Sequence, residues 1–128
     1  MIIDTGVLIW FLRGNEKAVN EIINAGSFSV SIITYMELLQ GMRNKQEMEQ
    51  MKKSFEKMRI RVLPINESIS FRAADLADLV EKHALSSSME LADALIASTC
   101  SYYGELLMTA NDKHYRVVDD LQLSIFRP

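Results

Sequence analysis

Short apolar runs alternate with longer segments of helical periodicity along this 128-residue sequence. Runs typical of β-strands occupy residues 1–4, 27–32, 59–65, 106–109 and 123–126. Helical patterns occupy residues 5–12, 16–25, 34–40, 45–58, 66–83 and 89–103. Because strands that alternate with helices pair in parallel through crossover connections, this order predicts an α/β fold. We expect one domain over residues 1–128, with a central, mainly parallel five-stranded sheet and helices on both faces.

The composition excludes several classes of protein. Apolar residues make up 48% and charged residues 24% of the chain, as in ordinary globular proteins. No apolar run reaches the roughly 18 residues that a membrane span requires, and Asp4 interrupts any secretory signal. We therefore expect a cytoplasmic protein without a membrane partner. The net charge of −3 argues against a protein that coats nucleic acid, but not against an enzyme that contacts it locally.

Cys100 is the only cysteine of the sequence. A single cysteine excludes an internal disulfide bond and a cysteine-based zinc site. Because Cys100 lies on a strongly apolar helical segment, we expect it to be a small core residue.

Acidic residues occur where the predicted strands end. Binding sites of open α/β sheets form at the carboxyl ends of the strands, which makes these positions the natural candidates. Asp4 ends the first strand, Glu37 lies early in the helix after the second, and Asn111 and Asp112 follow the fourth. Asp93 lies beyond the first turn of an apolar helix, where an unpaired charge would be costly, so we expect it to have a partner.

Each of these residues also has a purely local interpretation. Asp4 fits the N-cap of the following helix, and Asp112 fits a turn. Two pairs fit the capping-box pattern, Thr34 with Glu37 and Ser87 with Glu90. Taken singly, these residues leave the structural and the functional interpretation open.

Four segments together resemble the PIN-domain ribonucleases, and the resemblance extends over essentially the whole chain. They are MIIDTGVLIWFL, SIITYMELLQG, LADALIASTC and LLMTANDKHY, in that order. The size of the chain and its methionine-rich helix pair resemble the VapC-type toxins of prokaryotic toxin–antitoxin pairs. The resemblance implies an endoribonuclease that cleaves single-stranded RNA through a metal-activated water.

The resemblance also implies which residues form the site. Asp4, Glu37 and Asp93 become the acids of a metal site, Asn111 takes the fourth catalytic position, and Asp112 supplies a further metal ligand. A set of oxygen ligands without cysteine or histidine suits Mg²⁺ or Mn²⁺, as one or two ions. Residues that would support the site or contact the substrate are Thr5, Thr109, Glu90 and His114.

Gly6 departs from the family pattern. The family usually carries Ser, Asn or Thr two residues after its first aspartate, and a regular backbone would direct the remaining hydroxyl, that of Thr5, elsewhere. The alternative function is therefore a catalytically weak or inactive PIN module that binds RNA or protein. Two other classes fit less well: a receiver domain requires a carboxylate pair at the first strand and a strand-end lysine, and a dehalogenase-type phosphatase requires a second aspartate at position 6.

The helix pair 34–40 and 45–58 carries an apolar stripe. Met48, Met51, Phe55 and Met58 recur at helical spacing, which predicts a packed core face. The resemblance makes this pair the expected groove for a cognate antitoxin, which would place a basic side chain in the acidic pocket. It also implies a homodimer.

Overall fold

The computed structural model describes residues 1–82 and 89–128, and the side chains of residues 1–79 and 89–128. Its strands are β1 (Ile2–Ile3), β2 (Ser29–Ser31), β3 (Arg61–Leu63), β4 (Leu107–Thr109) and β5 (Leu123–Ile125). They form one sheet in the order β3-β2-β1-β4-β5, and every pair is parallel. The predicted α/β fold with a five-stranded, mainly parallel sheet is confirmed. Strand order reverses at β1, which has β2 on one side and β4 on the other.

Seven helices connect these strands within the described residues. They are α1 (Thr5–Leu12), α2 (Glu16–Ala25), α3 (Ile32–Gln40), α4 (Lys45–Met58), α5 (Glu67–Lys82), α6 (Leu91–Tyr103) and α7 (Asp112–Tyr115). Local signals set several ends: Asn15 Oδ1 accepts from the backbone N–H of Ala18 at the start of α2, and Gly104 ends α6 at a φ of 64°. The short helix α7 was not predicted. The predicted helix end at His83 and the Ser87 capping position lie outside the described residues.

Two helix starts differ from the sequence prediction. Helix α3 begins at Ile32, because Ser31 is its N-cap and accepts from the N–H of Ile33 at 3.1 Å. Thr34 therefore lies inside the helix and is fully buried, so the predicted Thr34–Glu37 capping box is wrong. Helix α6 begins only at Leu91, which places Asp93 in its first turn and not beyond it.

The sheet separates two clusters of buried side chains, which confirms helices on both faces. Ile3 and Met108 face the first cluster, which includes residues of α1, α2, α3 and α4. Ile2 and Leu107 face the second, which includes residues of α5 and α6. This alternation is the ordinary consequence of the two-residue period of a strand. None of the described helices has the length and apolar character required to cross a membrane.

The apolar stripe of α4 is only partly core. Met51 and Phe55 are buried, and the ring of Phe55 packs edge-on against Tyr35 at 5.2 Å. Met58, at the end of the helix, is 39% exposed, so the predicted core stripe is wrong at that residue. Cys100 is buried in the second cluster, as predicted, and burial raises the pKa of its thiol to about 12.

Candidate active site

The carboxyl ends of β1 and β4 lie side by side and bring Asp4 next to Thr109. Ile3 is in register with Met108, and the backbone N–H of Asp4 donates to the carbonyl of Met108 at 2.9 Å. Asp4 thus comes directly after the central strand, at the position where the strand order reverses. This is the location at which an open α/β sheet forms its site.

The carboxylate of Asp4 is buried and held by three donors. Its Oδ1 accepts from the backbone N–H of Thr5 at 2.9 Å, so Asp4 is also the N-cap of α1. Its Oδ2 accepts from the hydroxyls of Thr109 at 2.7 Å and Tyr115 at 3.2 Å. Burial raises the pKa of Asp4, and these hydrogen bonds oppose the rise only in part. The N-cap predicted for Asp4 is therefore confirmed, and its second oxygen is directed toward Thr109 and Tyr115.

Asp93 has the partners that its apolar segment required. Its Oδ2 accepts from the backbone N–H of Glu90 at 3.0 Å and lies 3.0 Å from Nδ1 of His114. Its Oδ1 lies 3.3 Å from the hydroxyl of Tyr115, the same hydroxyl that contacts Asp4. Two acids from distant parts of the chain thus meet at one buried phenol.

Glu37 joins the site through Thr5. The Thr5 hydroxyl donates to Glu37 Oε1 at 2.7 Å and lies 3.0 Å from Oγ1 of the buried Thr34. The expectation that Thr5 points elsewhere is wrong, because its place at the start of α1 directs its side chain toward α3. Thr5 therefore links Glu37 to the turn that carries Asp4.

Asn111 and Asp112 differ in their surroundings. Asn111 is exposed, and its backbone N–H donates to Thr109 Oγ1 at 3.0 Å. Asp112 is buried, and its two oxygens accept from Arg127 at 2.7 Å and Arg116 at 2.9 Å. The hydrogen bonds from these guanidinium groups lower the pKa of Asp112 to about 2. Since both oxygens are engaged by arginines, the geometry gives no support to the prediction that Asp112 binds a metal.

The donor chemistry of the site fits a hard divalent cation. Asp4, Asp93 and Glu37 offer carboxylate oxygens, and hydroxyl groups hold all three. Among the described residues, no three His, Cys, Asp or Glu side chains lie close enough together to hold an ion. The arrangement is therefore a pair, Asp4 and Asp93, with Glu37 attached beside it through Thr5.

The family assignment follows from sequence comparison. The PIN domain family model matches residues 1–121 of this chain. The chain belongs to the PIN domain family. The resemblance of the four signature segments is thereby confirmed.

Individual relatives support this assignment. Ribonuclease VapC1 of Haemophilus influenzae, in strains R2866 and 86-028NP, is 27% identical over 127 residues, 94% of this chain and 93% of the relative. The structure of VapBC-1 from nontypeable Haemophilus influenzae matches with a TM-score of 0.78 and 26% identity, over 97% of this chain and 96% of that one. A toxin–antitoxin complex from Klebsiella pneumoniae matches with a TM-score of 0.72 and 24% identity, over 94% and 93%.

Two contributors to this PIN domain site were not predicted. Tyr115 lies in the signature segment, but a phenol is no ordinary metal ligand, and only its contact with two carboxylates reveals its place. Arg127 stands almost at the end of the chain and gives no motif signal. A cavity of about 420 Å³ lies beside Arg127 and Asn111. Its lining residues are Ala110, Asn111, Asp112, Lys113, His114 and Arg127.

Proposed function

We propose that this PIN domain is an endoribonuclease that cleaves single-stranded RNA with the help of Mg²⁺ or Mn²⁺. The observation that carries the proposal is the meeting of Asp4 and Asp93 at one buried hydroxyl, at the carboxyl edge of the sheet. The relative named a ribonuclease in Haemophilus influenzae supports the same activity. We propose further that the protein acts as the toxin of a toxin–antitoxin pair.

Charge explains why the site would require a cation. A phosphodiester is anionic, and a pair of carboxylates repels it. When bound, one or two Mg²⁺ or Mn²⁺ ions neutralise negative charge on the phosphate and lower the pKa of a water molecule. Asp4 and Asp93 are the pair that would hold the cation directly, and Glu37, attached beside them through Thr5, would contact it through a water molecule.

The remaining residues orient these acids and the substrate. Thr109 fixes Asp4 Oδ2, and Thr5 fixes Glu37 Oε1, so neither carboxylate must reorganise when a cation arrives. His114 holds Asp93 in the same way and borders the cavity beside Asn111. In the proposed reaction, Asn111 contacts the phosphodiester in that cavity, and Asp93 or Glu37 accepts the proton of the attacking water.

The activity is tested by incubating single-stranded RNA with the protein and Mn²⁺. Asp4→Asn and Asp93→Asn each retain the shape of the side chain but remove one negative charge, and we expect each to lower the cleavage rate at least a hundredfold. Asp119→Asn is the matched control. Asp119 is exposed, so this substitution removes one negative charge from the surface and not from the site. Equal cleavage by the wild type and both site variants would reveal a contaminating nuclease and refute the assignment.

A second cavity supports the proposal of an antitoxin groove beside α4. It measures about 570 Å³ and includes residues from the end of α1, from the connection between α3 and α4, and from α4. Its lining residues are Leu12, Arg13, Gly41, Met42, Arg43, Glu47, Gln50 and Met51. The solved complex from Klebsiella pneumoniae pairs a toxin with an antitoxin on a similar fold. We propose an antitoxin partner and a homodimer, and light scattering of the purified protein tests the dimer.

Gly6 favours the alternative function, a weak or inactive PIN module. It provides no side chain near Asn111, where the family carries a polar group, and a Cβ built on Gly6 would lie 3.7 Å from Asn111 Nδ2. That separation is an ordinary contact, so the Cβ of a serine finds room at this position. If wild-type protein leaves RNA intact and Gly6→Ser cleaves it, the alternative is the correct one.

A further inference from the structure

The hydroxyl of Tyr115 lies between the carboxylates of Asp4 and Asp93, 3.2 Å from one and 3.3 Å from the other. Its side chain is only 1% exposed, and its ring packs in the second core cluster. A phenol carries a single proton, so it donates to one carboxylate or shares the proton between both. The neighbouring residue, His114, contacts the other oxygen of Asp93. Helix α7 thus presents two successive side chains to the acid pair.

We infer that Tyr115 is a positioning residue that holds Asp4 and Asp93 together while no cation is bound. Two carboxylates in a partly desolvated site repel each other, and a hydrogen-bond donor between them offsets that repulsion. The inference rests on the proposed function, since the cation of that function takes over the task. Tyr115 itself is not a ligand in this scheme.

If Tyr115 is a positioning residue, its hydroxyl and the cation compete for the same carboxylate oxygens. A tyrosine that only packs in the core would not compete with the cation. The other oxygen of Asp4 is held by the Thr5 N–H, and the other oxygen of Asp93 by Glu90 and His114. The acids meet through the two oxygens at Tyr115, which are Asp93 Oδ1 and Asp4 Oδ2, and the latter also accepts from Thr109 at 2.7 Å. If Asp4 and Asp93 hold a cation, the phenol proton of Tyr115 would compete with it for these oxygens.

Thermal unfolding of wild type and Tyr115→Phe tests the inference, first in EDTA and then in saturating Mn²⁺. Phe keeps the ring and removes only the hydroxyl. We expect Tyr115→Phe to melt about 2–8 °C below wild type in EDTA, because a hydrogen bond to charged groups is lost. In Mn²⁺ the difference between the two melting temperatures becomes smaller, because Mn²⁺ raises the melting temperature of Tyr115→Phe more than that of wild type. Calorimetry should give a Mn²⁺ affinity for Tyr115→Phe that is higher than that of wild type by a factor on the order of ten.

Tyr35→Phe is the matched control. Tyr35 packs edge-on against Phe55 in the first cluster, so loss of its hydroxyl leaves the acid pair untouched. We expect this variant to show the wild-type upshift in Mn²⁺. If Tyr115→Phe does not fold, the ultraviolet difference spectrum of wild type on adding Mn²⁺ replaces it. A tyrosine signal that persists in Tyr35→Phe supports the inference, and the absence of any tyrosine signal overturns it.

The outcomes separate this inference from the proposed function. A Mn²⁺ upshift in Tyr115→Phe that equals or falls below that of wild type overturns the inference and leaves the metal site intact. A wild-type upshift without RNA cleavage overturns the proposed function and leaves the inference standing. A wild type without any upshift in Mn²⁺ overturns both.

Discussion

Nη2 of Arg127 lies 2.7 Å from Oδ1 of Asp112 and joins the end of the chain to the turn after β4. Nη1 of the same guanidinium donates to the carbonyl of Ala110 at 3.1 Å. Arg116 engages the second oxygen of Asp112. Because Asn111 lies between Ala110 and Asp112, these contacts fix the backbone that carries it.

Arg127→Gln should therefore loosen this turn. It leaves the buried Asp112 with a single arginine, so the melting temperature should fall by a few degrees. RNA cleavage should fall with it, since Asn111 loses its fixed backbone. Arg61→Gln, on an exposed arginine of β3, is the control and should leave both quantities unchanged. Identical melting of the two variants would contradict this account.

The ion pairs of Arg127 and Arg116 with Asp112 should make the protein less stable at low pH. Hydrogen bonds from Arg127 and Arg116 hold the pKa of Asp112 at about 2, below its ordinary value of 3.8. A lowered pKa in the folded state stabilises the protein above the unfolded pKa, and this contribution disappears as the pH falls through the folded pKa. Urea unfolding between about pH 4 and about pH 2 should show a steeper loss of stability in wild type than in Asp112→Asn. If the stability of both proteins falls equally with pH, Asp112 does not contribute in this way.

For Asp4 we predict the opposite dependence of stability on pH. Burial raises its pKa above 3.8, so its contribution to stability is present below the unfolded pKa and is lost as the pH rises through the folded value. In EDTA at a pH above the folded pKa, Asp4→Asn should therefore raise the melting temperature by a few degrees, because it removes the cost of a buried charge, and it should abolish cleavage. The control Asp119→Asn should not raise it. A lower melting temperature for Asp4→Asn would show that its hydrogen bonds outweigh its burial.

Gly6→Ala should stabilise the protein. A glycine inside a helix costs about 0.5–1 kcal/mol relative to alanine, and the added Cβ meets nothing closer than Asn111 Nδ2 at 3.7 Å. Gly14 is the matched control: its φ of 79° strains any other residue, so Gly14→Ala should lower the free energy of unfolding. Denaturant titration measures the free energy of unfolding of both variants. A destabilised Gly6→Ala would mean that α1 does not tolerate a side chain there.

Cys100 should be inert toward thiol reagents in the folded protein. The side chain is fully buried, and burial raises its pKa to about 12, so neither access nor the thiolate is available. A colorimetric disulfide reagent at mildly alkaline pH should give no signal until urea unfolds the chain. Rapid reaction without urea would place Cys100 at the surface.

Local signals in the sequence were sufficient to predict the elements and the sheet edge. Alternation of apolar runs with helical periods predicts the parallel α/β fold, because side-chain period is a property of a few neighbouring residues. The same locality explains the correct N-cap at Asn15 and the position of Asp4 at the end of a strand. Where two local signals competed, the prediction was wrong: Ser31 caps α3, so Thr34 enters the helix and faces Thr5.

Only the tertiary structure decided which side chains meet. Tyr115 contacts Asp4 because β1 pairs with β4, and that pairing is set by the order of strands across the sheet. Arg127 reaches Asp112 for the same reason, since β5 pairs with the far side of β4. Such contacts join residues that are distant along the chain, and no period, cap or turn signal encodes them. The sequence by itself determined which residues stand at the carboxyl edge, and the packing of the sheet and its helices determined their partners.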